Sequence, residues 1–215
     1  MSLISLSQLQ DPDPNLRTAI AMRGDVMPEM LYFLAKDEHE DVRAAVAGNS
    51  QTPMHAAPLL QQDKSPKVRG ALARKLSRAL NEGESALGSK NYRIAVDAVE
   101  GLMQDQLTEV RAILAESLKD VAMLPPQIAG HLARDINEQV AKPILRFCNA
   151  VSDADLVQII QQQPEGWRLG AIAGRQQISA SVSGAIIASG NAEAVGILLD
   201  NSGAVIDDAG MDAAI

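Results

Sequence analysis

This chain of 215 residues is poor in aromatic side chains, has one cysteine and contains no long apolar run. Trp167, Tyr32, Tyr92, Phe33 and Phe147 are its five aromatics, too few to plug one thick central core. Cys148 stands alone, which excludes an internal disulfide and a Cys-rich metal site and agrees with a reducing compartment. No stretch approaches the ~18–20 apolar residues needed to span a bilayer, and residues 1–9 lack the basic start and apolar run of a secretory signal. A soluble, cytoplasmic protein is therefore expected. What is present is an apolar content of 47% and 27 acidic against 19 basic side chains, a net charge of −8. That apolar share is enough for a folded core. Much of it is alanine, the best helix former, whose small side chain lets helices approach closely. Period-2 alternation of Val, Ile, Thr and aromatics is scarce. The chain reads as all-α.

Internal repetition organises the first part. Leu16-Arg17-Thr18-Ala19-Ile20-Ala21 recurs as Val42-Arg43-Ala44-Ala45-Val46-Ala47 and as Val68-Arg69-Gly70-Ala71-Leu72-Ala73, each time after 26 residues. A fourth copy, Val110-Arg111-Ala112-Ile113-Leu114-Ala115, follows after 42 residues, one period plus sixteen. The extra length falls near 81–91, rich in Gly, Ser, Asn and Glu, and is expected to form a long loop. An aspartate stands six residues before each arginine: Asp11 before Arg17, Asp37 before Arg43, Asp63 before Arg69 and Asp105 before Arg111. Such an aspartate belongs in the turn ahead of a helix. Its arginine falls in the first turns, where the aliphatic stem covers apolar surface and the planar fork reaches carboxylates of its own or the adjacent repeat. Stacked copies predict a ladder of ion pairs.

Asp, five residues, then Val-Arg and an Ala-rich apolar helix resembles the HEAT repeat, whose helix pairs stack into an α-solenoid. The resemblance is direct over about residues 1–135, with a first helix such as 41–48 and a second such as 53–62. In the second, Thr52 can cap, Pro53 fits the first helical position, and Pro58 should bend or break the helix. Residues 136–215 read as divergent repeats continuing the same solenoid. Asp135 keeps its place, but the position six later is Ala141. Ser152 with Asp155 announces a helix over 153–162. The register runs through Ala21, Ala47, Ala73, Ala115, Leu145, Ala173 and Leu199, about seven helix pairs in all. The runs VAKPILRFCNAVSDADLVQII and RLGAIAGRQQISASVSGAIIASGNAEAVGILLDNSGAVI also resemble a bacterial, mainly proteobacterial, HEAT-like family that is still a domain of unknown function. These resemblances imply a right-handed superhelix and, by analogy with repeat proteins, a protein-interaction role. They bring no catalytic residues with them.

Chemistry-bearing motifs are few. His39, His55 and His131 lie in different repeats, outside any His-x-x-x-His pair or Cys/His cluster. No Gly-x-Ser-x-Gly elbow, phosphate loop or dinucleotide fingerprint occurs. Cys148 follows Phe147 in an apolar helix and reads as a buried small hydrophobe. The acid, base and aromatic cluster of a base-flipping pocket is also missing, which weighs against an enzyme resembling HEAT-like lyases or DNA glycosylases. No cofactor or metal is expected.

Three surfaces remain as candidates for binding. Between Lys64 and Arg78 lie Lys64, Lys67, Arg69, Arg74, Lys75 and Arg78 with no acidic residue among them. Lys67, Arg74 and Arg78 fall at helix offsets that can share one face, with Lys75 beside it. This is either a docking site for an acidic protein, a phosphate ligand or nucleic acid, or a solvated face balanced by neighbouring acidic repeats; the second is favoured. The net charge of −8 argues against general duplex binding. Arg23, Asn49, Lys75, Arg175 and Asn201 share one phase just past the first helices, as a binding strip or as caps for the last carbonyls, with capping preferred. Trp167, between Gly166 and Arg168, is either an exposed anchor for a partner or a plug where the arginine pattern stops. The leading expectation is a non-enzymatic scaffold or adaptor that binds a protein along the concave face or an edge, the alternative being nucleic-acid or phosphate binding through 64–78. The sequence ends at Ala214-Ile215 without an evident polar capping helix, which leaves self-association at this end or a longer parent protein as readings.

Overall fold

The computed structural model describes residues 4–207. Among these lie fifteen α-helices, one 3-10 turn and no β-strand; Ile178 and Ala204 form an isolated parallel bridge. No helix among the described residues is long and apolar enough to cross a membrane. Ala214-Ile215, for which self-association is one of two readings, lies outside the described residues. The chain divides into two compact units, one up to Ser117 and one from Leu118 onward. The division falls ahead of Ala141, where the arginine pattern lapses.

The first unit contains α1 (Leu6–Leu9), α2 (Pro14–Ala21), α3 (Pro28–Leu34), α4 (Glu40–Gly48), α5 (Ala57–Gln61), α6 (Pro66–Glu82), α7 (Glu84–Leu87), α8 (Ser89–Met103) and all but the last residue of α9 (Thr108–Leu118). Helix α2 packs on α4 and α4 on α6, while α8 packs on both α5 and α6. The repeated alanines explain this closeness. Ala21, Ala47, Ala73 and Ala115 are each 0% exposed, so a residue of minimal bulk sits at one place in every repeat. Larger apolar residues, among them Val42, Val68, Leu72 and Leu76, fill the space around them.

Two expectations need correction. The stretch near 81–91 is not a long loop. Gly83 and Gly88 adopt positive φ, 80° and 78°, and between them Glu84–Leu87 forms one helical turn. The extra residues instead lengthen the helices on either side, since α6 has 17 residues and α8 has 15 against nine in α4. The apolar faces that make this worthwhile are Ala79 and Leu80 on α6 and Ala95, Ala98 and Val99 on α8, all buried. The second correction concerns the helix expected over 53–62. Thr52 caps nothing there, because its hydroxyl donates to the Val46 carbonyl at 2.6 Å and closes the end of α4. Pro53 precedes the 3-10 turn Met54–Ala56, and α5 begins only with Pro58 in its first turn. A proline there loses no helical hydrogen bond.

The second unit contains α10 (Pro126–Ala133), α11 (Glu138–Phe147), α12 (Asp153–Gln162), α13 (Gly166–Ala173), α14 (Ala180–Ala188) and α15 (Ala192–Leu199). Ser152 caps α12, its hydroxyl accepting from the Asp155 amide and donating to the Asp155 carboxylate. Helix α11 packs on α13, α13 on α15 and α12 on α14. Leu145 and Ala173 are each 0% exposed and keep the buried phase. Leu199 does not: it is 45% exposed, and its neighbour Leu198 takes the buried position.

Candidate functional site

The aspartates and arginines of the repeat meet in one recurring arrangement. Each aspartate first closes a short turn: Asp37, Asp63, Asp105 and Asp135 accept at 2.8–2.9 Å from the amide two residues on. This is the local hydrogen bonding that suits Asp to the residues before a helix. Each arginine then joins two turns. Arg17, Arg43, Arg69 and Arg111 donate Nη1 to the backbone carbonyl of the aspartate six residues earlier, at 2.5–2.8 Å. The remaining fork of Arg17 takes Asp37 at 2.7 and 2.8 Å, and that of Arg43 takes Asp63 at 2.6 and 2.9 Å. Arg69 holds Asp105 in the same two-pronged way. The own repeat thus supplies a carbonyl and the next repeat supplies the carboxylate. These side chains are almost fully covered, Arg43 and Asp63 being 7% and 8% exposed. Burial pushes the Asp37 and Asp63 carboxyls up, but the guanidiniums and turn amides outweigh it and hold both below the ordinary carboxylate range.

Where Ala141 interrupts the pattern, Arg168 takes over. It is 1% exposed and donates Nη2 to the Asp135 carbonyl at 2.7 Å, Nη1 to the Ala133 carbonyl at 3.1 Å and Nε to Glu165 at 2.8 Å. The Asp135 carbonyl is the group that an arginine at 141 would have bonded. Arg168 stands one residue ahead of the phase set by the earlier arginines, which is why the repeat alignment passes over it.

A second set of bonds runs along the other helix ends. Asn49 donates to the Ala21 and Arg23 carbonyls at 2.7 and 2.8 Å, and Asn201 donates to Ala173 and Arg175 at 2.9 and 2.7 Å. Arg175 reaches the Leu145 and Cys148 carbonyls at 2.6 and 3.0 Å. Lys75 donates Nζ to the Thr52 carbonyl. The shared phase of these residues therefore places them on the carbonyl ends of the preceding repeat. Arg23 differs and chelates Asp25 at 2.8 Å.

The basic segment is largely occupied by these duties. Arg69 serves Asp105, Lys67 pairs with Asp41, Lys75 is buried, and Arg78 donates to the Gly48 carbonyl at 2.9 Å. Burial lowers the Lys75 ammonium to about 8, with the nearby Arg78 charge adding to the effect. Lys64 and Arg74 are exposed. The histidines are dispersed as well: His39 accepts from the Asp41 amide, and His55 lies against the Tyr32 ring at 4.9 Å. Among the described residues no group of three or more His, Cys, Asp or Glu side chains is placed to hold a metal. Cys148 is 0% exposed, and burial pushes its thiol up, away from the reactive thiolate.

Trp167 lies on a different kind of surface. An open groove of about 910 Å³ crosses the outer faces of α11, α13 and α15. Helix α11 contributes Lys142, Arg146 and Phe147, α15 contributes Glu193 and Ile197, and α13 forms the floor with Trp167, Gly170 and Ala171. The half-buried indole is stacked on the guanidinium of Arg168, 4.3 Å from the ring centroid, so a buried cation fixes its orientation. Phe147 is 51% exposed. Lys142 pairs with Glu138 at 2.8 Å. Sequence reasoning singled out Trp167 here and missed Arg146, Gly170 and Glu193. Their available signal was the i, i+4 spacing of Lys142 with Arg146, Gly166 with Gly170 and Glu193 with Ile197, which puts each pair on one helix face.

A family described as "Uncharacterised protein conserved in bacteria (DUF2336)" matches residues 140–215, a segment that includes α13 and α15 and most of α11. No curated protein matches the chain. Among solved structures, the crystal structure of an engineered protein, a target of the Northeast Structural Genomics Consortium, aligns over 97% of this chain and 91% of its own. Its identity is 18% and its TM-score 0.44, a likeness too loose to define a fold.

Proposed function

We propose that this protein is a non-enzymatic, HEAT-like α-solenoid of about seven helix pairs, wound as a right-handed superhelix, that works in the cytoplasm as a scaffold or adaptor for a protein partner. The recurring Arg–Asp and side chain–carbonyl bonds support the stacked repeat, because each joins equivalent positions of successive repeats. The binding role is carried by one observation. The groove over α13 presents Trp167 already oriented by Arg168, beside the exposed Phe147 ring. Aromatic anchors held in place before binding lose little entropy on contact and commonly dominate interface energetics.

Nucleic-acid or phosphate binding through 64–78 has less to draw on, since Lys67, Arg69, Lys75 and Arg78 already donate to groups of the protein itself. Affinity capture from extract of the source cells, with wild-type protein and Trp167→Ala compared by quantitative mass spectrometry, tests the proposal. Proteins retained by the wild type and depleted on the variant are expected. Equal retention by both removes the groove as the binding face.

A further inference from the structure

We propose that the groove over α13 receives one amphipathic helix of a partner protein, oriented by an acidic side chain at Arg146 and a basic one at Glu193; the inference rests on the protein-binding reading above. Dimensions come first. Helices α11 and α15 each pack on α13, and the axes of packed helices lie ~8–10 Å apart, so the axes of the two walls stand at most roughly 16–20 Å apart. With about 5–6 Å of each wall helix taken off, the clear gap is about 4–10 Å, which admits the side chains along one face of a helix about 10–12 Å across while its other face stays outside. Backbone chemistry then selects helix over extended chain. The floor is an α-helix whose backbone groups are bonded within itself. An extended segment laid on it would bury its own amides and carbonyls without partners, whereas a helix arrives with them satisfied.

The floor is shaped for close approach. Gly170 has neither a positive φ nor a packing need for glycine, because a Cβ there would meet Ile197 Cδ1 at an ordinary 3.5 Å. Glycine inside a helix costs stability relative to alanine, and its one local consequence is a bare floor beside Trp167. Phe147 and Ile197 offer apolar contact from the two walls.

The charges set direction. Arg146 is half-buried, with its guanidinium lying over the bare backbone of Gly174, its Nη1 1.0 Å from where a Cβ would be. Among the described residues it has no hydrogen bond or ion pair, and neither has Glu193 on the opposite wall, while Lys142 is already paired with Glu138. A half-buried guanidinium without a counter-ion gains strongly from a carboxylate. Arg146 and Glu193 therefore ask for opposite charges at two places on one ligand.

Panning a library of unconstrained 16-residue peptides against the full chain tests this, with the emission of Trp167, the single tryptophan, as the readout of groove occupancy. Enriched peptides are expected to carry apolar residues at i, i+3 or i+4, and i+7 with an acidic residue toward one end. They should shift Trp167 emission and lose roughly tenfold or more in affinity for Arg146→Glu. Replacing the acidic residue by lysine should restore binding to that variant. Gly170→Leu, which fills the floor, should abolish binding with helicity unchanged by circular dichroism, and this guards against misfolding of the charge variant. Peptides that shift Trp167 without helical spacing, or that bind Arg146→Glu equally well, overturn the helix and its polarity but leave a protein-binding face. Absence of any peptide that shifts Trp167 also overturns the helix, and cell-extract capture on Trp167→Ala then decides separately whether the face binds protein.

Discussion

At the scale of single residues, the charged side chains of the repeat are structural parts. Arg43 joins the Asp37 carbonyl to the Asp63 carboxylate at 7% exposure. Arg43→Ala should therefore cost ~1–3 kcal/mol, through lost packing and a buried carboxylate left without its partner, as measured by urea unfolding at pH 7. Asp63 has a folded-state pKa below its ordinary value. Its contribution is present above the ordinary carboxylate range and is lost as pH falls through the folded pKa, so wild type and variant should converge below about pH 4. Lys75 has the opposite dependence. Its folded pKa is about 8 against 10.5 for a free lysine, so between these values the unfolded chain binds more protons and stability rises with pH. Wild type should gain on Lys75→Met when urea midpoints are compared at pH 7.5 and 9.5. The Asp–Arg spacing was legible in the sequence because the same six-residue offset recurs in all four copies, the first three of them 26 residues apart. Arg168 was not, since its one-residue offset is meaningful only once α13 is seen packing beside α11.

At the scale of elements, glycine and proline mark the breaks that the apolar pattern leaves undetermined. Pro58 was readable as a break, and the turn preceding α5 follows from it. Residues 81–91 misled because Gly, Ser and Asn are loop formers on average, whereas here Gly83 and Gly88 serve as two single hinges between packed helices. Gly83 has φ 80° and ψ 173°, a conformation nearly confined to glycine. Gly83→Ala should cost ~1–3 kcal/mol in thermal unfolding. Gly170→Ala should do the reverse and raise stability by up to ~1 kcal/mol, because its helix tolerates the new methyl group. A stabilised Gly170→Ala that also binds partner less well would be the mark of a floor kept bare for contact. The groove itself was not legible, since it needs three helices set side by side and the sequence shows each face singly.

At the scale of the whole molecule, two sets of side-chain bonds tie successive repeats within each unit, one at the turns before the helices and one at the carbonyl ends after them. Charge that looked available for a ligand is thereby drawn inward, and the exposed aromatic surface over α13 is the face we propose for a partner. The all-helical class followed from alanine content and the missing period-2 pattern. The groove did not, because a lone Trp167 reads as anchor or plug alike in the sequence, and its place beside Phe147 and Gly170 comes only from the packing of α11 on α13. The most direct test is titration of the captured partner into the full chain while following Trp167 emission, with affinity measured in parallel by calorimetry. The account predicts a saturable spectral shift whose midpoint matches the calorimetric affinity. Tight binding that leaves the emission unchanged would contradict it.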